Sequence, residues 1–404
     1  MRLLLYSPDS YGLGHVRRSI SVAKAALSSF SGASALLVTG APRAHYFDYP
    51  EGCDYVKLPS VTKDAKGNYV CKDLGMTLEA TLALRARLIE EAATSFPTNA
   101  LLVDHSPRGL CGEILPTLRR LGEMGGTCRV LGMRDVIDDP VRVRAAWERE
   151  GVIEVLRNCY DRILVYGQRE LFDPVREYRM PDDIAQKVRF VGYIPRNGQH
   201  ATPDELRMRY APRTGRLVVV TLGGGGDGNV LLHNFLEGYA ALGENPPFEV
   251  VAVTGPLMSP RKRNRFRTRY GALDGVTLIE YTNQVPDLIE ASDFAITMGG
   301  YNTVMELACA GARALIVPRA FPRREQLVRA RILADRGVVR CVEEQQATPE
   351  TLIAETLRGL EQPRPDKGWG LRFTGLKKMT AELRAVLGLP RDARTRSQLE
   401  EIRP

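Results

Sequence analysis

A histidine follows the first apolar stretch of the chain, directly after a glycine turn. The turn reads Gly12-Leu13-Gly14-His15, with Arg17 two residues further on. Glycines after a strand allow a tight turn, and the free N–H groups at the start of the next helix favour an anion or a polar group. An imidazole exchanges protons near neutral pH, so His15 is a candidate general base. The alternative is a histidine that only caps the helix.

Known phosphate-binding fingerprints do not account for this turn. Arg17 stands where the third glycine of a G-x-G-x-x-G dinucleotide motif would be, and no G-x-x-x-x-G-K-[ST] motif occurs in the chain. A second glycine turn, at residues 223–226, stands between an apolar strand and a helix. Close approach of the backbone to a phosphate explains such a run, with Gly223, Gly224 and Gly225 as the candidates. The alternative is a flexible loop.

A third turn joins another apolar strand to a helix. It contains the candidate ligand-binding residues Gly299, Gly300, Tyr301, Asn302, Thr303 and Glu306. The N–H groups at the helix start and the Thr303 hydroxyl can hold a diphosphate, and Glu306 lies on the same helix face as Thr303. A carboxylate there can accept both hydroxyls of a ribose. The alternative is a capping box, in which Thr303 and Glu306 only stabilise the helix. Downstream, Glu325 and Gln326 lie in a polar loop where they can bond sugar hydroxyls.

The elements that must position these turns alternate between short apolar strands and helical segments, which predicts an α/β fold with parallel sheets. The predicted strands are 3–6, 35–38, 55–58, 100–103, 129–131, 162–165, 217–221, 248–254, 277–280, 294–297 and 314–317. The predicted helices include 15–27, 78–93, 141–158, 230–242 and 376–387. Leu78, Leu82, Leu88 and Ile89 form the expected apolar face of the helix at 78–93.

Composition is typical of a globular protein with two cores, at 404 residues, 44% hydrophobic and 26% charged. No apolar run approaches the roughly 20 residues of a membrane helix. The apolar run at the N-terminus is too short for a signal peptide. The seven cysteines are odd in number and scattered without a CxxC pair. We therefore expect reduced thiols in a cytoplasm, without disulfides or zinc.

The net charge of +8 includes one dense basic cluster at residues 261–267. An anionic partner is one interpretation, whether a nucleotide diphosphate, a membrane surface or a nucleic acid. Charge spread over solvated faces is the other. The cluster has a single aromatic residue and no nucleic-acid-binding motif, so we expect no nucleic-acid partner. Peripheral contact with a membrane stays open.

Together the motifs resemble the GT-B glycosyltransferases of the MurG type (family 28) and, more distantly, the UDP-glucuronosyltransferase-like enzymes. The likeness covers residues 12–16, the glycines at 223–226, and the stretch from Gly299 through Glu306, Gly311 and Pro318 to Gln326. It implies two Rossmann-like domains facing a cleft, with a C-terminal helix crossing back to the N-terminal domain. The domains expected are an acceptor-binding domain (1–192), a linker (193–214), a nucleotide-sugar-binding domain (215–375), and a helix with a tail (376–404).

The resemblance also implies roles for individual residues. Glu306 would bind the ribose of a uridine nucleotide, Glu325 and Gln326 would contact the sugar, and residues 300–303 would hold the diphosphate. His15 would take the proton of the acceptor hydroxyl, and Asp104 could orient His15. The alternative for Asp104 is a carboxylate that bonds loop backbone. The candidates on the acceptor side are Gly12, Gly14, Arg17, Arg134 and Asp135. The segments 104–108 and 133–140 differ from MurG, so its lipid-linked acceptor is not carried over.

The expected reaction is inverting transfer of a sugar from a nucleotide diphosphate, a UDP-sugar by resemblance, to a hydroxyl or amine of a small-molecule or lipid-linked acceptor. Domain closure would bring base and donor together. No cofactor is expected. The sequence lacks a D-x-D pair, and N–H dipoles can stabilise the leaving diphosphate without a metal. Two alternatives share the fold: a nucleotide-sugar 2-epimerase and a pseudo-glycosyltransferase that couples an activated cyclitol. An alternative of another class is a non-catalytic nucleotide-sugar-binding module.

Overall fold

The computed structural model describes residues 1–8, 14–64, 68–196 and 201–390. These residues form two compact units. Unit 1 contains Met1–Asp135, Val141–Ile194 and the segment from Thr374 onward, and unit 2 contains Val136–Pro140 and Pro195–Phe373. Each unit is an α/β domain built on a parallel sheet, as the alternation of strands and helices predicts.

Unit 1 is built on a seven-stranded sheet in which all neighbouring strands are parallel. Its strands are β1 (Arg2–Ser7), β2 (Ser34–Thr39), β3 (Cys53–Lys57), β6 (Ala100–Asp104), β7 (Cys128–Arg134), β8 (Arg162–Tyr166) and β9 (Val188–Phe190), and the strands β4 (Val61–Lys63) and β5 (Tyr69–Cys71) form a separate antiparallel pair. The order across the sheet is β3-β2-β1-β6-β7-β8-β9. The chain therefore reverses its direction of winding between β1 and β6. Both strands are buried apolar runs, as a sheet covered on both faces requires.

The helices of unit 1 are α1 (Gly14–Ser29), α2 (Leu78–Ser95), α3 (Leu115–Met124), α4 (Pro140–Glu150), α5 (Val152–Cys159), α6 (Pro174–Glu177), α7 (Asp182–Ala185) and, from the C-terminal end of the chain, α15 (Gly375–Val386). The prediction of one helix over 141–158 is wrong. The chain breaks at Gly151, whose φ of 63° is left-handed and cannot continue a helix.

The apolar face predicted for α2 is also wrong in part. The buried side chains on α2 are Thr81, Arg85, Ile89 and Ala93, whereas Leu88 is 37% exposed. Arg85 is buried because its Nε and Nη2 atoms each lie 2.6 Å from a carboxylate oxygen of Glu113, and Nη1 donates to the Pro59 carbonyl oxygen. A buried cation is tolerated when its donors are satisfied in this way.

The C-terminal helix α15 belongs to unit 1, as the resemblance implies. It packs against α1, and Arg384 Nη2 donates to the Ser29 carbonyl oxygen at 2.6 Å. At the start of α15, the Gly375 N–H donates to the Tyr193 carbonyl oxygen at 2.9 Å and the Thr374 hydroxyl donates to the Val191 carbonyl oxygen at 2.8 Å. The N-terminal unit is thus completed by residues from the far end of the sequence.

Unit 2 contains a six-stranded parallel sheet in the order β12-β11-β10-β13-β14-β15. Its strands are β10 (Leu217–Thr221), β11 (Glu249–Val253), β12 (Val276–Ile279), β13 (Phe294–Thr297), β14 (Ala314–Ile316) and β15 (Arg340–Cys341), and its helices are α8 (Pro203–Tyr210), α9 (Asn229–Ala240), α10 (Pro260–Tyr270), α11 (Val285–Ala291), α12 (Tyr301–Ala310), α13 (Glu325–Asp335) and α14 (Pro349–Leu360). Helix α8 lies inside the range predicted as a linker. Successive residues of β10 enter opposite cores, Val218 and Val220 on one face and Leu217 and Val219 on the other.

The basic cluster lies on helix α10, as expected for a helix surface. Phe266 and Tyr270 anchor this helix in the core, and Arg261, Arg265 and Arg267 are exposed. No helix of the described residues is long and apolar enough to cross a membrane.

Candidate active site

The switch point of the unit 1 sheet brings His15 and Asp104 together. Asp104 is the last residue of β6, and His15 is the second residue of α1, the helix that follows β1. Because β1 and β6 are neighbours, both side chains lie at the carboxyl edge where an open α/β sheet binds its ligands. His15 Nδ1 lies 2.6 Å from Asp104 Oδ2. At this distance the Asp104 carboxylate can orient the His15 imidazole.

Arg18 holds the Asp104 carboxylate from a second direction. Its Nε donates to Asp104 Oδ1 at 2.9 Å and its Nη2 donates to Asp104 Oδ2 at 2.8 Å, and both side chains are buried. Burial acts to raise the pKa of Asp104, but the charges of Arg18 and His15 outweigh it and hold that pKa well below its usual range. Asp104 is therefore ionised at neutral pH. Its carboxylate accepts a hydrogen bond from the Nδ1–H of His15.

This assignment leaves Nε2 of His15 with its lone pair. Arg134, the last residue of β7, places Nη2 at 3.1 Å from Nε2 and donates to it. Arg18 Nη2 also lies 2.9 Å from Nδ1, but that contact joins two donors when Nδ1 carries the proton. The His15 side chain keeps 19% of its surface exposed. Nε2 is thus the ring nitrogen that carries the lone pair, and it accepts the Arg134 N–H.

A second histidine, His105, lies beside this pair and has no role assigned by the sequence. Its backbone is left-handed, with φ of 67°, and its ring centroid lies 5.3 Å from that of His15. Burial, followed by the positive charge of Arg134, lowers the pKa of His105 well below its ordinary value. His105 is therefore a neutral imidazole at physiological pH. A histidine directly after the strand-end aspartate was the only sequence signal for it.

The remaining acceptor-side candidates are not all in contact with His15 and Asp104. Gly12 lies outside the described residues, and Gly14 opens helix α1. The guanidinium of Arg17 lies over the ring of Phe47, with 5.3 Å between its Cζ and the ring centroid. Asp135 is buried, and its Oδ2 accepts a hydrogen bond from the Tyr193 hydroxyl at 2.7 Å.

In unit 2 the glycine run packs against a second backbone turn. Gly223 and Gly225 have φ of 62° and 81°, in the left-handed region that favours glycine. A Cβ on Gly225 would overlap the carbonyl oxygen of Thr254, and the Gly224 carbonyl oxygen accepts from the Leu257 N–H at 2.8 Å. The glycines therefore have a packing role in the turn, whatever ligand it also holds. The interpretation as an unconstrained flexible loop does not fit these contacts.

The third turn opens helix α12. Gly299 has φ of 78°, and a Cβ there would lie 2.6 Å from Cγ2 of Ile316. Gly300 is the N-cap, and its carbonyl oxygen accepts the Val304 N–H at 2.9 Å. The N–H groups of residues 301–303 thus precede the first helical hydrogen bond, as an anion site needs. Since Thr303 lies inside the helix, the capping-box alternative is wrong.

Glu306 lies on the same helix and is buried. Its Oε1 is 3.1 Å from Nη1 of Arg196, a residue inside the range predicted as a linker. A buried carboxylate requires such a partner, because an isolated ion in the interior is strongly disfavoured. Arg196 is therefore the charged partner of the buried Glu306 carboxylate.

Arg319, in the loop before α13, connects the candidate residues Glu325 and Gln326 to the glycine run. The Arg319 N–H donates to Gln326 Oε1 at 3.1 Å, and Arg319 Nη2 lies 3.3 Å from Glu325 Oε1. The same guanidinium forms an ion pair with Asp227 at the end of the glycine run. The loops after β10 and β14, which flank β13, are thus joined at one edge of the sheet. Within the described ranges, no three His, Cys, Asp or Glu side chains meet as metal ligands.

The chain has two Rossmann-like units, and in each the order of strands reverses next to the first strand of the unit. This arrangement is the GT-B fold. Among solved structures, MurG of Acinetobacter baumannii has a TM-score of 0.59 at 12% identity, covering 95% of this chain and 99% of that one. A putative UDP-N-acetylglucosamine 2-epimerase from Listeria monocytogenes has a TM-score of 0.65 at 13% identity, covering 97% and 98%. These likenesses show the fold alone.

The C-terminal half also matches a family of known proteins. Residues 218–367 match the glycosyltransferase family 28 C-terminal domain. The "UDP-N-acetylglucosamine--N-acetylmuramyl-(pentapeptide) pyrophosphoryl-undecaprenol N-acetylglucosamine transferase" of Haemophilus influenzae is 28% identical over 147 residues, which are 36% of this chain and 40% of that protein. The chain thus has the fold of the GT-B glycosyltransferases, and over residues 218–367 it resembles those of family 28. The matched part spans less than half of that relative.

Proposed function

We propose that the chain is an inverting glycosyltransferase that moves a sugar from a nucleotide diphosphate, a UDP-sugar, to a hydroxyl or amine of an acceptor. The observation that carries this proposal is the His15–Asp104 pair at the switch point of unit 1. The lone pair of Nε2 accepts an Arg134 N–H in the absence of substrate, and an acceptor hydroxyl would take the place of that donor. The family 28 domain supports unit 2 as the part that binds the donor. The relative named for UDP-N-acetylglucosamine makes that sugar nucleotide the first donor to test.

In the proposed step the acceptor oxygen bonds to the anomeric carbon as the bond from that carbon to the diphosphate breaks. The acceptor proton passes to His15 Nε2, and Asp104 stabilises the resulting imidazolium through Nδ1. An oxygen approaching Nε2 also comes next to the Arg134 guanidinium, which can stabilise its developing charge. Attack from the face opposite the leaving group inverts the configuration.

The leaving diphosphate gains negative charge in unit 2. We propose that the N–H groups of residues 301–303 and the glycine turn stabilise that charge, since such fixed dipoles need no reorganisation during the reaction. Glu306 would accept the ribose hydroxyls, and Glu325 and Gln326 would contact the sugar. The sequence has no D-x-D pair to hold a metal at the diphosphate, so chelation with EDTA should leave the initial rate unchanged.

A thermal-shift screen against UDP-, dTDP- and GDP-sugars tests the donor. A ligand that binds the folded state raises the melting temperature, by an amount that grows with concentration. We expect UDP-sugars to give the largest rise, followed by release of UDP when an acceptor is supplied. If none of these nucleotides shifts the melting temperature, the proposal is wrong.

The 2-epimerase is the second candidate, because a putative enzyme of that kind shares the fold across the chain. It would act on UDP-N-acetylglucosamine without an acceptor. Appearance of a second UDP-N-acetylhexosamine in the absence of acceptor would favour it over transfer. A cytoplasmic location stays a prediction from the scattered cysteines, and small-molecule and lipid-linked acceptors are to be compared in the same assay.

A further inference from the structure

A short segment from the first half of the sequence is built into unit 2. Residues 136–140 follow β7 in the chain, yet they cluster with unit 2. Asp138 Oδ1 accepts a hydrogen bond from the Arg324 N–H at 2.6 Å and another from the Asp139 N–H at 2.8 Å. Arg324 immediately precedes helix α13, whose first two residues are Glu325 and Gln326. The carboxylate therefore meets the chain at the start of the helix that carries the proposed sugar contacts.

The start of α13 needs an acceptor from elsewhere in the structure. Its N-cap residue, Arg324, makes no side-chain capping hydrogen bond. The first N–H groups of a helix have no partner within the helix, and an anion near them is stabilised by the helix dipole. Asp138 supplies such an anion from outside the helix. Its partly buried carboxylate accepts two backbone N–H groups, which fixes the direction of approach.

One turn further along α13, a buried arginine contacts the same segment. Arg329 Nη2 lies 3.4 Å from the Val136 carbonyl oxygen, and Nη1 lies 3.4 Å from the Gly299 carbonyl oxygen. Its Cζ lies 5.4 Å from the ring centroid of Tyr301, the first residue of α12. Both hydrogen bonds are long, so they add direction more than strength. The start of α13 and Arg329, one turn further on, thus both contact the 136–140 segment. Arg329 also contacts the turn at Gly299 that opens α12.

We propose that Asp138 is a positioning residue, which holds the start of α13 so that Glu325 and Gln326 are presented to the sugar of the donor. The sugar contact rests on the proposed function, whereas the attachment of α13 does not. Asp138 need not touch the donor. Its loss should therefore weaken recognition of the sugar and leave recognition of the nucleotide intact.

Hydrogen–deuterium exchange of the ligand-free protein tests the attachment directly. Asp138→Ala should raise exchange at the Arg324 amide about tenfold or more, the effect of losing a hydrogen bond to a charged acceptor. Asp138→Asn keeps an oxygen that can accept this N–H and should restore most of the protection. The matched control is Asp335→Ala, which removes an exposed carboxylate from the other end of α13. Unchanged exchange at Arg324 in Asp138→Ala would overturn the proposal.

Calorimetric titration with UDP and with UDP-N-acetylglucosamine tests the consequence. In Asp138→Ala the affinity for the sugar nucleotide should fall about tenfold, while the affinity for UDP stays within about twofold of wild type. Equal losses for both ligands would overturn the positioning role. If the wild-type protein binds neither ligand, the proposed function fails, and the exchange experiment alone then decides whether Asp138 holds α13.

Discussion

The two units prepare their ligand edges by different means. In unit 1 the edge is organised by charged side chains, with Asp104 held between Arg18 and His15 and Arg134 on the far side of the ring. In unit 2 the edge is organised largely by backbone, through left-handed glycines and the open N–H groups of α12. Side-chain charge suits proton transfer, which depends on one atom. Backbone dipoles suit a diphosphate, which spreads its charge over many oxygens.

This difference predicts which substitutions affect turnover and which affect donor binding. A change of charge in unit 1 should act on the chemical step with the donor still bound. A change of backbone in unit 2 should act on binding and on the stability of that unit.

His15→Ala should lower turnover by about 10²–10⁴-fold, the contribution typical of a general base. Donor affinity should stay close to wild type, because His15 belongs to unit 1. Initial rates at saturating donor, together with calorimetric titration of UDP, separate the two quantities. Wild-type turnover would place the base elsewhere, and a parallel loss of UDP affinity would contradict the division between the units.

Asp104→Asn should destabilise unit 1 by about 3–5 kcal/mol, because it removes the charge that offsets the buried Arg18. Turnover should fall as well, since the amide no longer stabilises an imidazolium at His15. Urea denaturation gives the free energy of unfolding, and rates are then measured at a temperature where the variant is folded. A variant as stable as wild type would show that Asp104 and Arg18 are not coupled.

Glu306→Ala should weaken UDP binding by about 10–100-fold, the effect of losing a charged acceptor of hydrogen bonds. The variant also deprives Arg196 of its carboxylate, so a modest loss of stability should accompany it. Glu350→Ala, an exposed carboxylate on α14 in the same unit, is the control and should leave UDP affinity unchanged. Unchanged affinity in Glu306→Ala would remove Glu306 from the nucleotide site.

Gly225→Ala should lower the stability of unit 2 by about 1–3 kcal/mol and weaken UDP binding, because a side chain is strained at this φ and overlaps Thr254. Gly243→Ala is a matched control, since Gly243 also has φ of 81° but no heavy atom lies within 4 Å of its Cβ position. Thermal unfolding of both variants isolates the overlap from the backbone strain. Equal falls in melting temperature would mean that the turn at Thr254 moves to admit the Gly225→Ala side chain at little cost.

His105→Asn should change the pH dependence of stability. Because the folded pKa of His105 is lowered, the unfolded chain binds its proton first as the pH falls below about 6.5, and the folded state then loses up to about 1.4 kcal/mol per pH unit. Asparagine tolerates the left-handed backbone without this titration. Urea midpoints between pH 7 and 5 should fall less steeply in the variant. Identical slopes would show that His105 takes up its proton equally in the folded and unfolded states, so that its pKa is not lowered by folding.

Much of the fold could be predicted because the central strands are continuous apolar runs. The strands at 217–221 and 294–297 match the sequence prediction at both ends. The strands β9 and β15 were missed, since three and two residues are too short to show a period. The break at Gly151 was missed because a glycine inside a helical pattern does not by itself reveal a left-handed backbone.

The candidate site could be predicted only where position along a strand was sufficient. Asp104 ends β6 and His15 lies at the start of the helix after β1, so their meeting required only that the two strands be neighbours. Arg196 and Asp138 could not be found in this way, because each takes its importance from a partner far along the chain. The glycine run was noticed for a ligand, whereas its contact with Thr254 depends on the packing of two loops.

The return of α15 to the first unit has a consequence for synthesis on the ribosome. Residues 1–194 emerge first, but the surface of α1 that receives Arg384 stays uncovered until the rest of the chain has been translated. Nascent domains usually fold as soon as their sequence is available. Here the half made earliest is completed last, so a gene ending at residue 373 should yield a protein whose N-terminal half is the part that aggregates.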